Sequence, residues 1–592
     1  MHRPVTVDLL PWQLDLRSLG LFRILLAVGV LLDVMGRAPL LRDWYTDAGV
    51  LPRAVADQAT AAYLAGGAHL GFFALSGSLA WGALGMSLTA LLALSLLLGF
   101  RSRLSALLLA FMVWSYHLRA PLLTNGGDLV LQFSLIWAAL LPIGARFSLD
   151  RGWSAVFGHR GNTGEASTPG TTRWSGIAGL ALTLQVGITY VYNGLQKTDP
   201  AWENGTAIGK IFNQGMYSRQ PFSEVIGWLP EPVLRVMTSG VVGFEIMAFA
   251  LLLVPVQGVR LLTVAALMLL HLSFALTMTI GLFPLYCIAW LAALLPPLAW
   301  SRARQGSGWT VFYDGGCSFC RRVALGLMGL SGMEHAALRE AQSDELANAR
   351  VKHTWTVRPP GGRDATRFSG VLAVLRAGPW APVAWVMTLV QGLGNRLYDV
   401  IADNRHRLWK AVRRLHGEQL MPGRISGGVA AALLALVLSV TGAEYLGLLT
   451  APVKHDLQKV GLYQQWRMFT GPSFAAGHFM VRVTLADGRQ VDLWRRDVAG
   501  QGDQVVLSRQ AVLPQTYGGR WWTWQDEYLR RFVITFADDP SQRRLLGPLV
   551  QRACNTWNAQ HSLRALKVEA VFVRYPLEGG VKPETFWQER CP

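Results

Sequence analysis

The sequence predicts a polytopic α-helical membrane bundle of about nine spans, with an inserted α/β domain and a C-terminal α+β extracytoplasmic domain. Three observations predict it. Of 592 residues, 51% are apolar and only 16% charged, and the mean hydropathy is +0.28. Apolar stretches of about 20 residues, enough to cross a bilayer, recur along the chain. Two long polar stretches, 305–424 and 450–592, interrupt and follow them. A net charge of +18 would suit nucleic acid. Proteins that bind nucleic acid, however, set their basic residues on a soluble face, whereas here they flank apolar runs. Lipid is therefore an expected partner and nucleic acid is not.

The candidate spans are 17–36, 78–99, 103–119, 129–145, 174–195, 237–256, 260–280, 282–300 and 425–449. The first has interspersed basic residues and no small-x-small cleavage site after it, so it reads as an uncleaved span rather than a signal peptide. Basic residues in short loops favour the cytosolic side. With the N-terminus inside, Arg101 and Arg103, Arg146 to Arg173, Arg302 and Arg304, and the run "NRHRLWKAVRRLHG" at 404–417 all fall inside. The exception is the outer loop 37–77, with Arg37, Arg42 and Arg53. This orientation places 305–424 in the cytosol and 450–592 outside, in an inner (cytoplasmic) membrane.

In the inserted segment, "GWTVFY" at 308–313 reads as a buried strand and "RRVALGLMGL" at 321–330 as a helix, with "DGGCSFC" between them. A CxxC that opens a helix puts its first thiol where backbone N–H groups and the helix dipole favour the thiolate. Cys320, one turn on from Cys317, can then resolve a mixed disulfide, and Arg321 and Arg322 add positive charge. Two other readings stand beside this one. A zinc site needs four ligands, for which only His335 is at hand, so no metal is expected; alternatively the pair packs a loop and does no chemistry.

"VFYDGGCSFCRR" and "YDVIADNRHRL" at 398–408 resemble the DCC family of thiol-disulfide oxidoreductase-like proteins over about 305–415. The resemblance implies a thioredoxin-like α/β fold, with Asp314, Cys317 and Cys320 as motif residues. It supplies no cis-proline facing the thiols, since Pro359 and Pro360 fall in an expected hairpin turn.

In "ITYVYNGLQKTDPAWENG" at 188–205, Lys197 follows an apolar helix. Such a lysine often snorkels to the interface; with Asp199, Trp202 and Glu203 beside it and partial desolvation, it could instead serve as a base. This stretch, with "LGLFRILLAVGVLLDV" at 19–34, "SLD" at 148–150 and "HLSFALTMTIGLFP" at 271–284, resembles the vitamin K-dependent γ-carboxylase and its HTTM relatives over about 10–300. The final span and "LYQQWRMFTGPS" at 462–473 are also typical of that group. The resemblance implies Lys197 as a base and a quinone or quinol as cofactor. The family's functional histidine has no counterpart in "TNGGD" at 124–128, and "SFALTM" replaces the polar residues after His271.

Arg23, Glu245 and His271 are costly at membrane depth and should face the bundle interior, as paired structural groups or as a ligand pocket. Asn125 and Asp128 should satisfy backbone groups at a helix end. Outside, "MVRVTLADGRQVDLWRR" reads as a hairpin around Asp487-Gly488. Cys554 and Cys591 would share an oxidising side and form a disulfide candidate. Trp521, Trp522 and Trp524 should enter a core.

The expected organisation is a membrane bundle (1–300), a cytosolic DCC domain (305–415), a ninth span (425–449) and an extracytoplasmic domain (450–592). The expected activity is thiol-disulfide exchange with a client protein, in which Cys317 attacks, Cys320 resolves and Asp314 supports the turn. The alternatives are quinol-linked modification of an exported peptide with Lys197 as base, and a bundle that binds lipid or peptide without catalysis.

Overall fold

A computed structural model describes residues 9–49, 51–57, 70–154, 172–214, 219, 221–278, 280–300, 306–333, 335–341, 355–412, 423–466, 468–469, 476–492, 547–575 and 582–592. The tryptophans at 521, 522 and 524 lie outside these residues, as do residues 161–171 of the polar stretch "GNTGEASTPGTT", which the sequence composition predicts to be an exposed loop.

Every stretch proposed as a span is helical in the structure. These helices are α1 (Leu16–Arg37), α2 (Leu79–Leu98), α3 (Ser102–Arg119), α4 (Gly126–Leu140), α5 (Ile177–Leu195), α6 (Glu231–Leu253), α7 (Gln257–Thr277) and α8 (Phe283–Ala293), with a last one at Gly423–Tyr445. By length and composition, five are long and apolar enough to cross a membrane: α1 with its extension to Tyr45, α2, α6, α7 and the last. The chain is thus mostly helical with small sheets.

Helix starts follow local chemistry. Asp15 caps α1 by accepting the Arg17 N–H at 2.8 Å, and Ser78 caps α2 by accepting the Trp81 N–H. At α4, Asn125 and Asp128 form a reciprocal capping box, which supplies two otherwise orphaned N–H groups. A short antiparallel pair, β1 (Gln13–Asp15) with β2 (Arg173–Ser175), fastens the start of α1 to the start of α5. α5 is buried on most of its surface and α6 packs along it. A Cβ at Gly187 would lie 2.5 Å from the Phe249 ring, the kind of small-residue approach that lets membrane helices pack closely.

The inserted domain follows. β3 (Thr310–Tyr313) leads into α9 (Ser318–Ser331) and then β4 (Ala337–Glu340), which lies parallel to β3. β5 (Thr356–Arg358) and β6 (Ala365–Thr366) complete the sheet in the order β4-β3-β5-β6. Pro359 and Pro360 lie in the turn between β5 and β6. α10 (Arg367–Arg376), α11 (Ala381–Met387), α12 (Gln391–Asp403) and α13 (Arg405–Val412) follow, and then the last apolar helix, α14 (Gly423–Tyr445), which packs on α5.

α9 is the element that seats this domain on the bundle. The Ser148 N–H donates to the Gly329 carbonyl at 3.1 Å and Trp153 Nε1 donates to the Arg322 carbonyl at 3.3 Å. The Arg322 guanidinium lies 4.7 Å from the centre of the Trp153 ring. It is therefore turned to the bundle and not to the thiols, contrary to the charge role the sequence suggested. Backbone meets backbone here: a Cβ at Gly329 would sit 2.5 Å from the Gly152 nitrogen.

The C-terminal region is an antiparallel sheet in the order β10-β9-β7-β8, built from β7 (Ala476–Leu485), β8 (Gln490–Asp492), β9 (Ala565–Tyr575) and β10 (Lys582–Arg590). β7 and β8 form the hairpin around Asp487-Gly488, with Gly488 at φ 85°, a conformation glycine adopts without steric cost. A disulfide joins Cys554, on α15 (Gly547–Gln560), to Cys591 just beyond β10, with Cα atoms 5.7 Å apart.

Because the Gly329 contact is backbone against backbone, Gly329→Val is expected to unseat the inserted domain while leaving the bundle intact. Limited proteolysis in detergent would then release a fragment beginning near residue 305, at a protease dose that leaves the wild type whole.

Candidate functional site

The CxxC stands where a strand gives way to a helix. Asp314 ends β3 and makes the turn: its Oδ1 accepts the Gly316 N–H at 3.1 Å and its carbonyl accepts the Cys317 N–H at 2.9 Å. A short aspartate side chain bonding its own backbone two residues on is a common way to fix such a turn. Cys317 then caps α9, its sulfur accepting the Cys320 N–H at 3.1 Å. Cys317 and Cys320 are joined as a disulfide, with Cα atoms 5.3 Å apart. Cys317 is 4% exposed, whereas Cys320 is only half-buried.

The sequence reading missed a partner. Arg405, at the start of α13, places Nη1 3.2 Å from Asp314 Oδ2 and is buried. The two ends of the DCC-like pattern, 91 residues apart, thus meet at the turn that leads to the thiols. "NRHR" carried the signal, but its sheer basicity made it read as a topology marker. Beside them, Tyr313 donates its hydroxyl to Glu340 Oε1 at 3.1 Å. Burial, then the bond to Glu340, raises the Tyr313 pKa, so the phenol stays a donor at neutral pH. His335 is not among the described groups that could hold a metal ion.

The bundle holds a second set of polar groups. Lys197 does not snorkel: its side chain is 2% exposed and its Nζ pairs with Glu245. Asn193 supports the pair, donating from Nδ2 to Glu245 Oε1 at 3.0 Å, and the Trp202 ring lies 5.1 Å from Nζ. Nearby, the Tyr190 hydroxyl and His271 Nε2 are 2.7 Å apart. Two of the proposed pocket residues are placed elsewhere. Arg23 donates to the backbone carbonyls of Leu96 and Phe147, which makes it a structural brace, and Asp199 caps the short helix Pro200–Glu203.

A stretch with no helical period completes this core. Residues 461–466, 468 and 469, from "GLYQQWRMF", run into the bundle between the helices. Gln464 is bonded to Gln185, halfway along α5, at 2.7 Å. Trp466 is 3% exposed and packs near Trp290 of α8. The Met468 N–H donates to Asn193 Oδ1 at 2.9 Å, and the Phe469 carbonyl accepts Trp202 Nε1 at 2.8 Å. Nothing in its composition announced this path.

A third cluster was also missed. Arg37 donates to Asp33 at 2.9 Å, Asp128 at 2.8 Å and the Tyr45 hydroxyl at 3.1 Å, and Tyr116 donates to Asp33 at 2.6 Å. His117 Nε2 lies 3.2 Å from Asp128. The Asn125–Asp128 pair does cap α4, as expected, but the second Asp128 oxygen serves this ion pair. Arg37, which broke the charge rule for outer loops, is buried here and so is not a surface charge. Asp33, His117 and Asp128 are spaced to hold a cation, yet the Arg37 guanidinium already bridges the two carboxylates. Two cavities, of about 360 Å³ and about 440 Å³, flank Asp128 on either side.

Comparison with known proteins bears on these sites in two ways. The fold and the buried polar groups define a membrane protein that carries a CxxC domain. The family model of the HTTM domain matches residues 72–300, and that of the DCC1-like thiol-disulfide oxidoreductase matches residues 311–411. The chain carries both domains, as the two resemblances implied. None of the curated proteins and none of the solved structures matches it. The HTTM domain and the apolar helices together indicate a multi-pass membrane protein.

Removing one partner of a buried ion pair leaves an uncompensated charge and costs about 3–5 kcal/mol. Lys197→Met is therefore expected to lower stability by about that much, and the double variant Lys197→Met/Glu245→Leu to recover most of it. Unfolding in detergent measures both; a lysine at the lipid interface would give almost no change in either. At the thiol site, Arg405→Met is expected to raise amide hydrogen exchange over 314–320 without altering exchange in α5.

Proposed function

We propose that this protein is a membrane-anchored thiol-disulfide oxidoreductase whose working group is the Cys317/Cys320 dithiol in a thioredoxin-like domain. The observation that carries this reading is the placement of the CxxC on the first turn of α9, held by the Asp314 turn and backed by Arg405. The helix N-terminus favours the thiolate, which is the nucleophile.

In the reduced form, one thiolate attacks a sulfur of the client's disulfide. A mixed disulfide forms, and the client's other sulfur leaves as a thiolate and takes up a proton. The second cysteine, having lost its proton, attacks the mixed disulfide, closing Cys317–Cys320 and releasing the client's second thiol. Two electrons pass to the client, and a thiol donor such as glutathione or a reduced dithiol protein restores the pair. The sequence motif assigns the attack to Cys317 and resolution to Cys320. Exposure favours the reverse order, since Cys320 is the less buried of the two.

In the topology we infer, all nine helices span the membrane, the thiol domain and the N-terminus are cytosolic and the C-terminal sheet lies outside. The basic loops support it, and the Cys554–Cys591 bridge on the far side agrees with an oxidising compartment. The carboxylase-like alternative has less support, because Lys197 Nζ already donates to Glu245 and, at 3.4 Å, to the Asn193 carbonyl. The 360 Å³ cavity has mainly apolar walls, but its polar lining is already engaged, Arg37 by Asp33, Asp128 and Tyr45 and the Asn125 amide by Asp128, so a quinone has no better support there.

Trapping in intact cells tests the proposal. Cys320→Ser is expected to accumulate a client linked through Cys317, seen on non-reducing electrophoresis and lost in the double variant. If Cys317→Ser traps the client instead, the two roles are exchanged. Absence of adducts in both single variants, with the protein abundant and folded, would remove thiol exchange as the function.

A further inference from the structure

The inserted domain has an apolar ridge that no described residue covers. Trp385, Val386, Leu389, Leu393, Leu397 and Val400 are 64, 67, 87, 68, 58 and 58% exposed. From Val386 onward their spacing of three or four residues sets them on one stripe that runs from α11 through a short turn along α12. A soluble domain rarely leaves so continuous an apolar surface to water.

We propose that this ridge lies in the lipid headgroup region of the leaflet at the end of the bundle where α9 is seated, so that α11 and α12 form an interfacial anchor for the thiol domain. Three observations identify lipid as the occupant. First, the domain is already held against the bundle through α9 and the Leu149–Ser154 helix, so its surface is brought to the membrane plane without further cost. Second, α13 ends at Val412 and the apolar α14 begins at Gly423. A link of that length spans at most about 35–40 Å even fully extended, so the end of the ridge stays near the bilayer.

Third, the surrounding charge is of the right sign. Arg396, His406, Arg407 and Lys410 are exposed, whereas Asp399 is engaged by Arg367 and only Asp403 is left as an exposed acid on α12. The Arg376 guanidinium lies 4.4 Å from the centre of the Trp385 ring, a cation on an aromatic residue at the boundary of the patch. An apolar stripe flanked by arginine and lysine is the pattern of a helix lying flat on an anionic membrane, and each basic residue near such a surface adds to the attraction.

This inference concerns how the domain is held, and it stands whether or not the cysteines exchange with a client. The test uses the full chain carrying Cys287→Ser, Cys317→Ser and Cys320→Ser, with the Cys554–Cys591 bridge kept, reconstituted into bilayer nanodiscs of phosphatidylcholine and phosphatidylglycerol. Single cysteines at Leu389, Leu393 and Leu397, and at the exposed hairpin residue Arg363 as reference, carry a nitroxide. The readout is collision with oxygen, which concentrates in lipid, relative to collision with a water-soluble nickel chelate. At the three ridge positions this ratio is expected to exceed that at Arg363 severalfold, and to fall when Arg396→Glu, Arg407→Glu and Lys410→Glu are combined. Ratios equal to that at Arg363 would overturn the proposal. So would exclusion of both reagents with dipolar broadening between labels, which would assign the ridge to a second copy of the chain.

Discussion

Charge and unpaired backbone are intolerable in hydrocarbon, and the bundle is organised around answering them from within. Three buried cations in its interior show how. Arg23 spends its guanidinium on two backbone carbonyls, Arg37 bridges two carboxylates, and Lys197 pairs with Glu245. Irregular backbone inside a membrane bundle is tolerated only where protein surrounds it, and the described residues of 461–469 meet that condition through Gln185, Asn193 and Trp202. The packing of α5 follows from these demands: it is the helix that supplies partners to α6, α7 and the entering segment alike.

The thiol domain is joined to this bundle by the same helix that bears its cysteines. One end of α9 presents Cys317 and Cys320, and its far turn abuts Gly152. Whatever moves Ser148 and the Leu149–Ser154 helix moves the helix that holds the dithiol. The buried ion pairs of the bundle and the Cys317–Cys320 disulfide are thus parts of one mechanical unit, rather than a reactive domain on a flexible tether.

Much of this was legible in the sequence. Apolar length fixed where the helices fall, the strand-turn-helix rhythm around "DGGCSFC" placed Cys317 at a helix start, and Asp487-Gly488 marked its hairpin. What escaped was pairing at a distance. Nothing local says that Asp314 meets Arg405, that Arg37 turns inward to Asp128, or that Lys197 bends toward Glu245 instead of reaching for water. Opposite charges can be counted along a chain, but which of them meet depends on how helices are arranged in three dimensions. The burial of the 461–469 stretch escaped for a different reason: its likeness to the carboxylase-like group was legible, but it is neither periodic nor strongly apolar, and its place in the core rests on partners contributed by other helices.

That stretch also sets an order of assembly. A nascent chain made through residue 300 has every helix of the bundle except α14, but it lacks the strand of protein that fills the space between them. Gln185, Asn193 and Trp202 must wait, with their hydrogen-bonding groups unanswered, while the whole thiol domain is synthesised and α14 is threaded into place. The bundle is closed from the far end of the chain, so a truncation beyond α8 would leave a hollow centre and not merely a shorter protein.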